Sequence, residues 1–296
     1  MISNEFILTD RLDKIRSTIE QYGEENFYIS FSGGKDSTIL SWLIDKAIPY
    51  NNIPRVYTDT GIELNVIKEF VKKKVENDNR FIIIAPSQNV KKMLNEKGYP
   101  FKSKQHSEQL ERYQRRGKLL SVKQYLGERE DKKPWIKSCP KILKYQFTPE
   151  FNMKISDKCC KELKEKPIEA WAKENNKKYN INGIMASEGG RRYKAKCLAY
   201  INNKLVAFQP LAPVTKDFEN WLIDKYNIEI CDIYKPPYNF KRTGCKGCPF
   251  NVALQKELNT LEKYFPAERK QCELIWKPVY DEYRRINYRL KEGVEK

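Results

Sequence analysis

The sequence predicts an α/β protein with a doubly wound, mostly parallel sheet, a basic helical insertion and a helical C-terminal region. Two observations carry this. Strand-like apolar runs alternate with helical patterns, and polar glycine-bearing motifs follow the strands. Phe27 to Phe31 forms the first strand, and Ile39, Leu40, Trp42 and Leu43 continue at helical spacing to about Ala47. Arg55-Val56-Tyr57-Thr58 is the second strand and ends in Asp59-Thr60-Gly61. A helix follows with Ile67, Phe70, Val71 and Val75 on one face, then a buried third strand, Phe81 to Ile84. From Lys91 to about Asp157 the pattern is polar, basic and mostly helical, as in an insertion or lid. Ile181 to Ala186 restores a strand, and Ile228 to Ile233 reads as another short one. The chain ends in helices, with Leu254, Leu258 and Leu261 on one stripe and Trp276, Val279, Tyr280 and Tyr283 on a second. The expected division is 1–90 and 158–249 for the α/β domain, 91–157 for the insertion and 250–296 for the terminal helices.

Composition narrows the function. No apolar run approaches the roughly 18 residues that span a bilayer, and the first residues lack the pattern of a signal peptide. A cytoplasmic protein with no membrane partner is expected. In that compartment its eight cysteines suit metal or redox chemistry better than disulfides. The net charge of +17 points to an anionic partner. Between Lys91 and Lys144 stand 16 Lys/Arg against 6 Asp/Glu, with Tyr99, Phe101, Tyr113, Tyr125 and Trp135 interleaved. Such a segment suits tRNA or DNA, or else a solvated helical face. The single histidine, His106, excludes schemes that need several imidazoles.

Ser32-Gly33-Gly34-Lys35-Asp36-Ser37 lies between the first strand and its helix. A glycine turn opening a helix is an anion cradle, because free N–H groups and the positive end of the dipole face the turn. Gly33 and Gly34 let a phosphate approach the backbone, Lys35 adds a cation, and Ser32 and Ser37 add hydroxyls. The spacing differs from that of the Walker loop. It resembles the PP-loop of the ATP pyrophosphatase and adenine nucleotide alpha hydrolase-like superfamily. That resemblance implies a grip on the pyrophosphate of ATP, with Mg²⁺ neutralising the leaving group, or on the anionic group of APS or PAPS.

Two further motifs extend the likeness. Asp59-Thr60-Gly61, continued by Glu63, resembles the element of the phosphoadenosine phosphosulfate (PAPS) reductase family that lines the adenosine pocket. Gly190-Arg191-Arg192 resembles that family's Gly-x-Arg-Arg stretch, where a planar guanidinium meets the nucleotide's anionic end. Ligands in parallel sheets bind beyond the carboxyl ends of the strands, so the three motifs are expected on one rim.

Cys159-Cys160 and the knuckle Cys245-Lys246-Gly247-Cys248-Pro249 supply four thiols, with 84 residues between the pairs. Four thiolates favour Zn²⁺ or an iron–sulfur cluster. Adjacent cysteines point apart in extended backbone, which suits the corners of a [4Fe–4S] cube better than one zinc ion. A disulfide or a thioredoxin-type redox pair are the other readings. The layout resembles cluster-bearing adenylyl-sulfate reductases of the PAPS reductase family, which implies [4Fe–4S] on Cys159, Cys160, Cys245 and Cys248, with zinc as the alternative. Cys197 lies just past Arg191-Arg192 with Lys194 and Lys196 near, and cations lower a thiol pKa. It joins Lys35 and Asp36 as a candidate catalytic residue, against a reading as a small buried hydrophobe.

The family resemblance runs from about Phe27 to Pro249. Assimilatory reductases of that family use a cysteine near the C-terminus, whereas here no cysteine follows Cys272. The resemblance therefore implies the branch that spends ATP to activate an acceptor and then delivers sulfur, with a sulfur donor as partner and nucleic acid as acceptor. The alternatives are an APS/PAPS reductase with an electron donor and a displaced nucleophile, Cys197 or Cys272, or a non-catalytic nucleotide- and cluster-binding regulator.

Overall fold

A computed structural model describes residues 3–129, 131, 136–242 and 244–291. In chain order the elements are α1 (Asn4–Tyr22), β1 (Phe27–Ser30), α2 (Lys35–Ala47), β2 (Arg55–Thr58), α3 (Asn65–Asn77), β3 (Phe81–Ile84), α4 (Val90–Lys97), α5 (Lys104–Arg116), α6 (Leu120–Leu126), α7 (Lys166–Glu174), β4 (Tyr179–Ile181), β5 (Leu198–Ile201), β6 (Lys204–Phe208), α8 (Lys216–Tyr226), α9 (Leu254–Tyr264) and α10 (Pro266–Arg285). They fall into two compact units. One is Met1–Pro86 with Lys166–Thr243, and the other is Ser87–Glu165 with Gly244–Lys296.

The first unit holds a six-stranded sheet in the order β3-β2-β1-β4-β6-β5. Every neighbouring pair is parallel except β5 with β6. Alternation along β1 places its side chains on two faces. Phe27 and Ile29 bury against Ile15 and Ile19 of α1 and Ile39, Leu40 and Leu43 of α2. Tyr28 turns to the other face, where Val56 and Ala172 of α7 meet it. Helices therefore cover both faces. At the start of β2 the fully buried Arg55 pairs with Asp45 at 2.6 Å and donates to Ser41 Oγ and Asn51 Oδ1. That network ties β2 to the far end of α2.

Three expectations need correction. The run Ile228 to Ile233 is apolar because it is buried, yet it forms no strand; a short 3₁₀ turn occupies Asp232–Tyr234. β3 is the edge of the sheet, so Ile83 is 42% exposed. A hairpin, β5–β6, stands at the other edge where no strands were expected.

In the second unit α9 buries Leu254, Leu258 and Leu261, and α10 buries Trp276, Val279, Tyr280 and Tyr283. The basic segment forms α4, α5 and α6. Two of its aromatics are taken up by the core. Phe101 and Tyr125 are fully buried, packed with His106, Phe147 and Tyr283. Core formation claims them first, since burying each ring removes a large apolar area from water. Trp135 lies outside the described residues.

Candidate active site

The chain leaves β1, passes Ser32 and Gly33, and enters α2 with Gly34 as the cap. Gly33 has φ +69°, and a Cβ there would stand 2.8 Å from Ile67 Cγ2 and 2.9 Å from Val71 Cγ2 of α3. Glycine is thus required both for backbone sign and for space. Hydroxyls fix the turn. Ser37 Oγ donates to the Gly34 carbonyl at 2.9 Å and sits 3.0 Å from Ser32 Oγ. Thr38 Oγ1 donates to the same carbonyl at 3.0 Å. The opening amides of α2 have no carbonyl within the helix to bond, so they face the turn with the helix dipole behind them.

This loop borders a cavity of about 230 Å³ in the first unit. It opens between the carboxyl ends of β1 and β4, where the strand order reverses. That is the ligand position of an open α/β sheet. Lys35, Arg192, Lys216, Lys241 and Arg242 line it against two acids, Asp36 and Glu188. Glu188 pairs with Arg192 and stands 3.7 Å from Arg242. Burial holds the Arg192 guanidinium below its usual range, and Arg242 pushes the same way while Asp36 opposes. Among the described residues Lys216 and Lys241 have no hydrogen bond or ion pair. The cavity is built to take negative charge. Its volume falls below the roughly 300–1,000 Å³ of pockets that enclose a drug-sized ligand, so it suits a phosphate chain.

Glu219, in the first turn of α8, is the residue the sequence did not announce. It is fully buried, and neither carboxylate oxygen has a hydrogen-bond partner among the described residues. Lys35 Nζ stands 3.8 Å from it, beyond hydrogen-bond reach, and bonds instead to Asn220 Oδ1 at 3.1 Å. Burial pushes the Glu219 carboxyl up to about 8, with the Asp36 charge adding and Lys35 opposing. The signal lay in β6: once that strand is placed, α8 must begin on the same rim.

The other expected anchors divide. Asp59-Thr60-Gly61 follows β2 on the same side of the sheet but does not line the cavity. Asp59 accepts from the Gly61 N–H at 2.9 Å and pairs with Lys68 at 2.7 Å. Burial alone would raise its pKa, but these partners hold it below the usual value. Glu63 takes both the Thr60 N–H and hydroxyl. Arg192 reaches the cavity; the side-chain positions of Gly190 and Arg191 lie outside the described residues. Cys197 does not line the cavity, and packs beside the core of the sheet. Burial raises its thiol pKa despite Arg11, whose Nη1 stands 3.6 Å from Sγ. Cys272 is fully buried and is pushed up to about 12 by burial.

The four predicted ligands all fall in the second unit. Their charges act on one another: Cys160, Cys248 and Cys245 all raise Cys159, and Cys245 and Cys160 raise Cys248, whose largest perturbation is burial. The hydrogen bond between Cys159 and Cys160 raises the first thiol and lowers the second, so Cys160 is the more acidic of the two. Among the described residues no three His, Cys, Asp or Glu side chains are grouped to hold a metal ion. The donor type still suits a soft metal, and the knuckle is firmly held. Trp276 Nε1 donates to the Lys246 carbonyl at 2.9 Å, the Tyr280 hydroxyl to Gly247 and the Tyr283 hydroxyl to Pro249. The Gly247 N–H donates to Glu257 at 2.8 Å. The terminal helices thus form a clamp that sequence patterning showed only as apolar stripes.

Residues 26–138 match the profile of the phosphoadenosine phosphosulfate reductase domain. That stretch of the chain is similar to the family's domain. The domain includes the glycine loop and Asp59-Thr60-Gly61 and ends before the cysteine pairs. An uncharacterised protein of Methanocaldococcus jannaschii is 24% identical over 92% of the chain, which spans 56% of that protein's length. Among solved structures, Candida glabrata FMN adenylyltransferase gives a TM-score of 0.45 at 13% identity, covering 80% of this chain and 61% of its own. Candida auris PAPS reductase gives 0.43 at 12%, covering 83% and 96%. The Methanococcus maripaludis U34-tRNA thiolase NcsA, solved with its [4Fe–4S] cluster, gives 0.38 at 15%, covering 99% and 82%.

Proposed function

We propose that the chain is a PP-loop enzyme of ATP pyrophosphatase type that activates a nucleic-acid acceptor for sulfur transfer. The cation-lined cavity at the β1–β4 reversal carries this reading, since only a ligand with several negative charges balances its lining. Ser32 to Ser37 and Lys35 hold the β- and γ-phosphates of ATP, and Arg192 and Arg242 neutralise the charge that grows on the leaving group. An acceptor oxygen attacks the α-phosphorus and pyrophosphate departs; sulfur from a donor then displaces AMP. Mg²⁺ entering with ATP would share the charge of the leaving pyrophosphate. Cys159, Cys160, Cys245 and Cys248 would hold a [4Fe–4S] cluster, which supplies redox or sulfur-binding chemistry. The exposed lysines of segment 91–144 add phosphate-directed charge.

The test is nucleic-acid-dependent release of pyrophosphate from ATP. Lys35→Ala should weaken ATP binding about 10- to 100-fold, as expected for one charge-assisted contact. Unchanged ATP affinity in that variant, or sulfite formation from APS by the wild type, would overturn the reading.

A further inference from the structure

A second cleft, of about 600 Å³, opens on the same unit beside the phosphate cavity. The two share Ile184 and Arg192 as a common wall. The cleft is otherwise lined by Lys194, Lys196 and a largely apolar surface that includes Leu198, Ala199 and Tyr200. Among the described residues no acidic side chain lines it. Among the described residues neither Lys194 nor Lys196 makes a hydrogen bond or ion pair, and both are exposed. Tyr200 uses its hydroxyl on Tyr22 at 3.2 Å, which fixes a ring that is still 49% exposed. Tyr193, between Arg192 and Lys194, is 75% exposed. The floor is β5, the edge strand, so nothing of the sheet closes the outer side.

We infer that this cleft seats the acceptor nucleotide of a single nucleic-acid strand, a conclusion that rests on the nucleic-acid reading above. Lys194 and Lys196 take flanking phosphates, and Tyr200 offers a flat face for an unstacked base. The strand runs on over the open edge of β5. Arg192, in the shared wall, lies between the acceptor and the phosphates of ATP. Two lysines beside Arg192, whose charge Glu188 already shares, suit a phosphodiester chain better than the neutral adenosine of ATP itself. The volume fits one nucleotide with part of its neighbour. Phe101 and Tyr125 of segment 91–144 are consumed in the core of the other unit, whereas here a tyrosine ring meets water beside two lysines.

Fluorescent mixed-sequence RNA and DNA oligonucleotides, titrated against the full chain and a Lys194→Glu/Lys196→Glu variant, test the site. Loss of about tenfold or more in affinity for one or both strands, a flatter dependence on salt and unaltered ATP affinity are expected. Tyr200→Ala should weaken strand binding without changing the salt slope. Wild-type affinity in the charge-reversed variant overturns the cleft alone. Loss of ATP affinity in that variant assigns the cleft to ATP and also overturns it. A wild-type chain that binds neither strand overturns both this inference and the nucleic-acid reading, while pyrophosphate release with another acceptor would leave the ATP assignment standing.

Discussion

Glu219 concentrates the site's electrostatics in one side chain. A carboxyl with no hydrogen bond, buried beside Asp36, is held mainly in its neutral form, and Lys35 offsets only part of the cost of its charge. Its folded pKa of about 8 lies above the unfolded value near 4.5. The folded state therefore binds an extra proton between those values, and its stabilising effect, complete below about pH 4.5, is lost as pH rises toward 8. Glu219→Gln should abolish that decline. The variant should gain on the wild type by a few kcal/mol between pH 5 and pH 8, read from urea midpoints at both values. Parallel curves for the two proteins would show that Glu219 is ionised throughout. The contrast with Lys35 explains what was legible. Lys35, Gly33 and Gly34 are contiguous in a motif whose chemistry follows from spacing, whereas Glu219 meets them only through a strand that short, mixed sequence concealed. Cys197 shows the converse: its neighbours in sequence are cationic, but burial decides its pKa.

At the scale of elements, the β1–loop–α2 junction is where sequence and structure agree most closely, since strand alternation, glycines and helical period all point to one geometry. α3 enforces the turn from outside. Gly33→Ala must place a Cβ against Ile67 and Val71 and hold a positive φ, so it should cost about 2–4 kcal/mol. A urea titration monitored by circular dichroism would read that loss, and a cost below about 1 kcal/mol would mean that α3 yields. The elements that escaped prediction share a cause. β5 and β6 form an edge hairpin with exposed Tyr200, Ile201 and Val206, so the polar-apolar pattern of a buried strand is absent. Ile228 to Ile233 has the pattern but spends it on loop burial. Periodicity reports which residues are buried; pairing needs a free strand edge, which sequence alone does not display.

Across the whole molecule, two sets of chemical groups are gathered in two separate units. Lys35, Asp36, Glu219 and Arg192 belong to the unit that carries the sheet, and the four cysteines belong to the unit that ends in α9 and α10. Cys245→Ser should then remove iron and acid-labile sulfide from protein purified without oxygen, together with its brown absorbance, because a serine hydroxyl is a poor match for a soft metal. The clamp of Trp276, Tyr280 and Tyr283 on backbone carbonyls does not depend on that sulfur, so the variant should still fold. ATP affinity should stay within about twofold of wild type, since the loop and the cations that line the phosphate cavity belong to the other unit. Metal analysis and ATP titration on one sample check both parts. Colourless wild-type protein containing zinc would replace the cluster with a structural ion, and a variant that loses ATP affinity with its iron would show that the nucleotide site depends on the metal-bearing unit.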